Sequence, residues 1–172
     1  MQSKPKKSSH NHQSERQLLD SRALYSRAIW LLTRQEYSSR ELDRKLCRVA
    51  ADRATVAPII TRLQQQGYLS DQRFAESYLR SRLQRGDSVR VAMQRAEQRG
   101  VESTILHEAV ADLDVDEEAA CRRLLHKRDP QGKRFDDRRL WQRHLRYLCS
   151  KGYTINIVMQ AMQQRDLRSD LQ

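Results

Sequence analysis

The chain has 172 residues, enough for one ordinary domain or a short array of small ones. With 38% apolar and 32% charged residues its core must be thin; five glycines, three prolines and no alternating Val/Ile/Thr runs exclude a many-turned sandwich and predict an all-α fold. An excess of 33 basic over 22 acidic residues gives a net charge of +11, which suits a polyanionic partner, nucleic acid or an acidic protein surface.

Residues 1–15 are polar and basic (Lys4, Lys6, Lys7) and too poor in apolar groups to order, so a disordered tail is expected there. His10 and His12 make no credible metal site in such a segment. No apolar h-region follows, so the segment is not a secretory signal, and no stretch approaches the roughly 18 apolar residues of a membrane span. Cys47, Cys121 and Cys149 lack CxxC spacing and each falls in an apolar-periodic run. They read as buried free thiols of a cytoplasmic protein without a metal or other cofactor.

From about residue 16 a helical period takes over, with Tyr25, Ala28, Ile29 and Leu32 on one face. Ser38-Ser39-Arg40-Glu41 has the form of a capping box, and Leu42 and Leu46 supply the buried stripe of the second helix. A third helix, capped by Thr55 with Pro58 in its first turn, carries Ile59, Ile60 and Leu63 to Gly67. Ser70 or Asp71 caps the next helix, whose inward residues are Phe74, Ala75, Tyr78 and Leu79, and Gly86 breaks it. Asp87-Ser88 opens a helix with Ala92, Met93 and Ala96 that ends at Gly100; a short helix capped by Ser103 follows. Asp114 and Asp116 precede a further helix, and Asp129-Pro130-Gln131-Gly132 is the clearest loop. The last two helices carry Leu140, Trp141, Leu145 and Leu148 to Gly152, then Ile155, Val158, Met159 and Met162 after a Thr154 cap.

The order predicts three tandem three-helix repeats, 16–69, 70–113 and 114–165, at a spacing of roughly 45 residues, with a short tail at 166–172. Each unit alone buries little, so stacked neighbours must supply the rest of the core and give an elongated, curved body.

Rows of basic residues can be traced in the second and third units. Arg80, Arg82 and Arg85 end one helix, Arg90, Arg95 and Arg99 ride the next, and Arg139, Arg143 and Arg146 form an i, i+4, i+7 line. Such rows can follow a phosphate backbone or an acidic groove, although any single arginine serves equally as helix solvation. Trp141, Tyr147 and Tyr153 sit at core spacing, which favours packing over base stacking. Phosphate loops, zinc pairs and nucleophile elbows are absent. Asp136-Asp137 and Asp114 with Asp116 lie where caps belong, and His107, His126 and His144 have no nucleophile beside them. A catalytic role is not expected.

Four groups of residues resemble the RecX family of bacterial RecA regulators. They are Ser39-Arg40-Glu41-Leu42 with Lys45-Leu46; Gly67-Tyr68-Leu69 with Asp71, Arg73-Phe74-Ala75 and Tyr78; Arg90-Val91 leading to Arg99-Gly100-Val101; and Lys151-Gly152-Tyr153 with Ile157. The second group is fairly specific, and the others are weak singly but occur in the right order. Asp87-Ser88 departs from the glycine, often with a proline, that the family has after Gly86. The resemblance implies three three-helix repeats and a monomer that binds the RecA recombinase filament on single-stranded DNA and inhibits it. It also implies direct binding to single- and double-stranded DNA. The alternative from the residues is a helix-turn-helix regulator reading one DNA sequence.

Overall fold

The structure, a computed structural model, describes residues 18–164. The tails expected at 1–15 and 166–172 lie outside the described residues. Within them the chain is all-α: α1 (Ser21–Leu32), α2 (Ser39–Cys47), α3 (Val56–Gln65), α4 (Asp71–Gln84), α5 (Val89–Gln98), α6 (Ser103–Ala111), α7 (Glu117–Arg128), α8 (Arg138–Ser150) and α9 (Ile155–Gln163). Short 3-10 turns at Arg53–Thr55 and Lys133–Phe135 precede α3 and α8.

Most helices start where a short polar side chain can take a free amide. Asp20, Ser38, Ser70, Ser88, Asp116 and Asp137 each accept a bond from the first turn. Several expected details differ. The first helix begins at Ser21, not near 16, because Asp20 caps it. Glu41 does not close a capping box; its carboxylate takes Arg99 Nε at 2.8 Å instead. Thr55 makes no cap bond to α3 because Asp52 caps the 3-10 turn ahead of it. Ser103 is the first residue of α6 rather than its cap, and Thr154 holds the cap position of α9 without a side-chain bond.

Each helix triplet closes on its own apolar cluster. Leu24, Leu42, Leu46 and Leu63 anchor the first, Phe74, Leu79, Ala96 and Leu106 the second, and Cys121, Leu125, Leu148 and Met162 the third. A fully buried leucine contributes about 2 kcal/mol, so these thin cores depend on the junctions between them. Cys149, expected to be buried, is exposed, because position 149 lies one residue beyond the inward Leu148.

The two junctions reuse one device. Asp71, the first residue of α4, accepts the Ser39 amide of α2 at 2.7 Å; Glu117, the first residue of α7, accepts the Val89 amide of α5 at 2.7 Å. Beside these bonds the end of the next triplet's middle helix docks on the cap. Ser38 Oγ donates to the Arg99 carbonyl at 2.6 Å, and the Ser88 amide donates to the Lys151 carbonyl at 2.9 Å. The following residues, Gly100 and Gly152, leave no room for a side chain: a Cβ would overlap Arg40 in one case and Val91 with Ser88 in the other. Ahead of α1 the Leu19 amide donates to the Val49 carbonyl and its carbonyl accepts from the Ala51 amide, pairing it with the stretch that follows α2.

The middle helices align in steps of four, Leu42–Leu46–Ala50, Ala92–Ala96–Gly100 and His144–Leu148–Gly152, all buried except the half-buried Gly100. His144 therefore occupies a core position that is Leu42 in the first triplet. It is 4% exposed and neither ring nitrogen has a hydrogen-bond partner. Burial pushes its pKa below the ordinary value of 6.5; Asp129 opposes that shift, and Arg128, Arg134 and Arg143 add to it. The unfolded chain thus takes up this proton first, so the contribution to stability is full above about pH 6.5 and is lost as pH falls toward the folded pKa. Nearby Asp129 is pushed up by burial but held below its usual range by the Arg134 side-chain bond, the Arg134 and Lys133 amides and the Arg134 charge. Its contribution disappears only below about pH 4. Thermal unfolding should show the α7–α9 region losing stability between pH 7 and 5, and His144→Leu should flatten that interval. An unchanged pH dependence in His144→Leu would contradict this origin.

Candidate functional site

The expected arginines separate into two groups. Arg82 and Arg95 converge on one oxygen of Asp87, whose side chain is fully buried, and Lys151 Nζ reaches its other oxygen at 3.2 Å. Arg95 lies 2.9 Å from Asp87 Oδ2, and the same oxygen takes Arg82 Nε at 2.7 Å. Arg99 lies over the Phe74 and Tyr78 rings as well as binding Glu41. Arg82 and Arg95 thus brace the turn between α4 and α5, and Arg99 ties the second triplet to the first.

Arg80, Arg85, Arg90, Arg139, Arg143 and Arg146 are exposed and form no ion pair among the described residues. Arg139, Arg143 and Arg146 share the outer side of α8, opposite the His144–Leu148 stripe. Arg90 stands at the start of α5, while Arg80 and Arg85 open onto a cleft between the second and third triplets. The cleft also receives Arg123, Lys127 and Arg128 from α7, which the sequence reading passed over. The spacing of Arg123 and Lys127 was a legible signal, but only folding sets them opposite α4.

The motif residues serve packing and turns. Leu42, Leu46, Phe74 and Ala75 are core, Tyr153 is 4% exposed, and Asp71 makes the first junction. Gly67, Gly100 and Gly152 adopt positive φ at helix ends. Tyr68 differs: it is exposed, and its carbonyl accepts from Arg73. Tyr153 is unavailable for base stacking because its ring is enclosed in the third core; Trp141 packs half-buried against the same cluster. Tyr147 lies under Arg128, 3.9 Å from guanidinium carbon to ring centre.

Arg134 anchors the last triplet from inside. It is 4% exposed, pairs with Asp129 at 3.0 Å and donates to the carbonyls of Met162 and Gln164. Nothing in the helical period marked it, since it lies in the loop between α7 and α8. No helix among the described residues is long and apolar enough to cross a membrane.

Two three-helix family models match this organisation: residues 70–110 match the RecX second three-helix domain and 116–162 the RecX third three-helix domain. The chain belongs to the RecX family. It is 37% identical over 142 residues to the regulatory protein RecX of Halorhodospira halophila, covering 82% of this chain and 87% of that one. To the regulatory protein RecX of Acinetobacter baylyi it is 31% identical over 155 residues, covering 87% and 92% of the two chains. The crystal structure of RecX from Lactobacillus salivarius superposes with a TM-score of 0.70 at 21% identity, covering 86% of this chain and 97% of that one. The RecX body is thus an all-α repeat fold, and the sequence relationship places this chain among regulatory proteins.

Proposed function

We propose that this RecX-family chain is a cytoplasmic, monomeric and noncatalytic modulator that binds RecA filaments on single-stranded DNA and inhibits RecA in repair and recombination. Family membership supports the partner. The observation that carries the contact is the row Arg139, Arg143 and Arg146, exposed on α8 and in no ion pair among the described residues. Guanidiniums in line can pair with carboxylates of the recombinase and phosphates of its DNA together, which suits a filament made of both. Arg90 and the cleft arginines extend that basic surface, while Arg82, Arg95 and Arg99 fix its shape from within. Any change in ATP hydrolysis takes place in RecA.

The reading is tested with RecA preassembled on single-stranded DNA. A charge-removal variant (Arg139→Gln, Arg143→Gln, Arg146→Gln) is expected to need about tenfold more protein for the same inhibition, each lost contact weakening binding and its salt dependence. Equal potency, with helicity intact, would remove the α8 row from the interface. Binding to one DNA sequence far above scrambled DNA would instead favour a helix-turn-helix regulator.

A further inference from the structure

The cleft between the second and third triplets has a volume of about 770 Å³, within the range of small-ligand sites. Five cations border it: Arg80 and Arg85 at the end of α4, and Arg123, Lys127 and Arg128 on α7. All five are exposed and none is ion-paired among the described residues. Most of the acids on its wall are already committed. Asp87 is neutralised by three cations, and Asp116 and Glu117 accept helix amides; Asp114 and Asp116 are exposed. With Asp87 neutralised, the five cations outnumber the remaining carboxylates Asp114, Asp116 and Glu117, and the cleft carries a net positive charge.

A further feature points to a ligand with a planar part. Arg128 lies over Tyr147, so the outer face of its guanidinium is a ready stacking plane.

We propose that this cleft holds one nucleotide of a single-stranded nucleic acid, with its phosphate on the α4 and α7 cations and its base laid on the Arg128–Tyr147 pair. The inference rests on the DNA-binding reading above and deepens it. A duplex keeps its bases stacked on one another and can offer only phosphates, so the cleft discriminates in favour of single strands.

The test uses the full chain and fluorescein-labelled oligo-dT, with a duplex of equal length beside it and helicity checked for every variant. Arg123→Gln with Lys127→Gln should weaken oligo-dT binding about tenfold and lower the salt slope by about 2, near 1 for each lost phosphate contact. Tyr147→Leu should weaken oligo-dT about tenfold, leave the slope unchanged and barely alter the duplex. Equal losses for both DNA forms in Tyr147→Leu would overturn the base-binding role. Displacement of oligo-dT by poly-glutamate at lower concentration than by unlabelled oligo-dT would make the cleft a site for acidic protein segments and likewise overturn it. Cleft variants that bind normally while the α8 variant does not would sink the cleft and leave the proposed function standing. Wild-type protein that ignores oligo-dT would remove both DNA readings.

Discussion

Gly152→Ala is expected to cost about 2–4 kcal/mol, from left-handed strain and overpacking together. Gly152 has φ +96°, and a Cβ there would drive into Val91 and the Ser88 hydroxyl, the two side chains on which the third triplet docks. Ser88 cannot simply rotate away, since its oxygen caps α5 through the Val91 amide. Gly100→Ala meets the Arg40 stem in the same manner at φ +95° and should behave alike. Gly67→Ala is the control: φ is +74° but nothing lies within 4 Å of the added carbon, so the cost is only the strain, about 1 kcal/mol. Urea unfolding of the three variants checks this. A Gly152→Ala loss no larger than that of Gly67→Ala would show that the docking surface yields.

Asp87→Ala should cost about 2–3 kcal/mol and concentrate its effect at the second junction. The carboxylate has no solvent exposure and separates Arg82, Arg95 and Lys151, which would otherwise face one another. Removing one member of a buried pair typically costs about 3–5 kcal/mol, and the partial exposure of these cations, 19%, 43% and 23%, lets water relieve part of it. Amide exchange should then accelerate in α5 and α7 more than in α1–α3. The freed arginines should also raise nonspecific affinity for polyanions. Stability within about 0.5 kcal/mol of wild type would mean that the clamp is dispensable.

Local chemistry was legible in the sequence, and cross-triplet chemistry was not. Gly67, Gly100 and Gly152 stop helices, as their position after apolar runs indicated, because a left-handed end needs no Cβ. Ser38, Ser88 and Asp137 were likewise readable as caps. Glu41 misled because its capping-box role depends on i, i+3 geometry, whereas Arg99, distant in sequence, outcompetes that local bond. Arg82, Arg95 and Arg99 belonged to surface rows by spacing, yet their acids lie across a turn or a junction that periodicity does not see. Arg134 went unnoticed because a loop arginine carries no pattern of its own. The repeat is legible in helix order; the interface between repeats is written in single residues such as Asp71 and Glu117.

The most direct test is ATP hydrolysis by RecA preassembled on single-stranded DNA at physiological salt, with this chain titrated from far below one copy per RecA. Hydrolysis should fall at those substoichiometric ratios, before the DNA itself could be covered. A rate that stays constant until the added protein saturates the DNA would contradict filament regulation and leave a basic DNA-binding protein in its place.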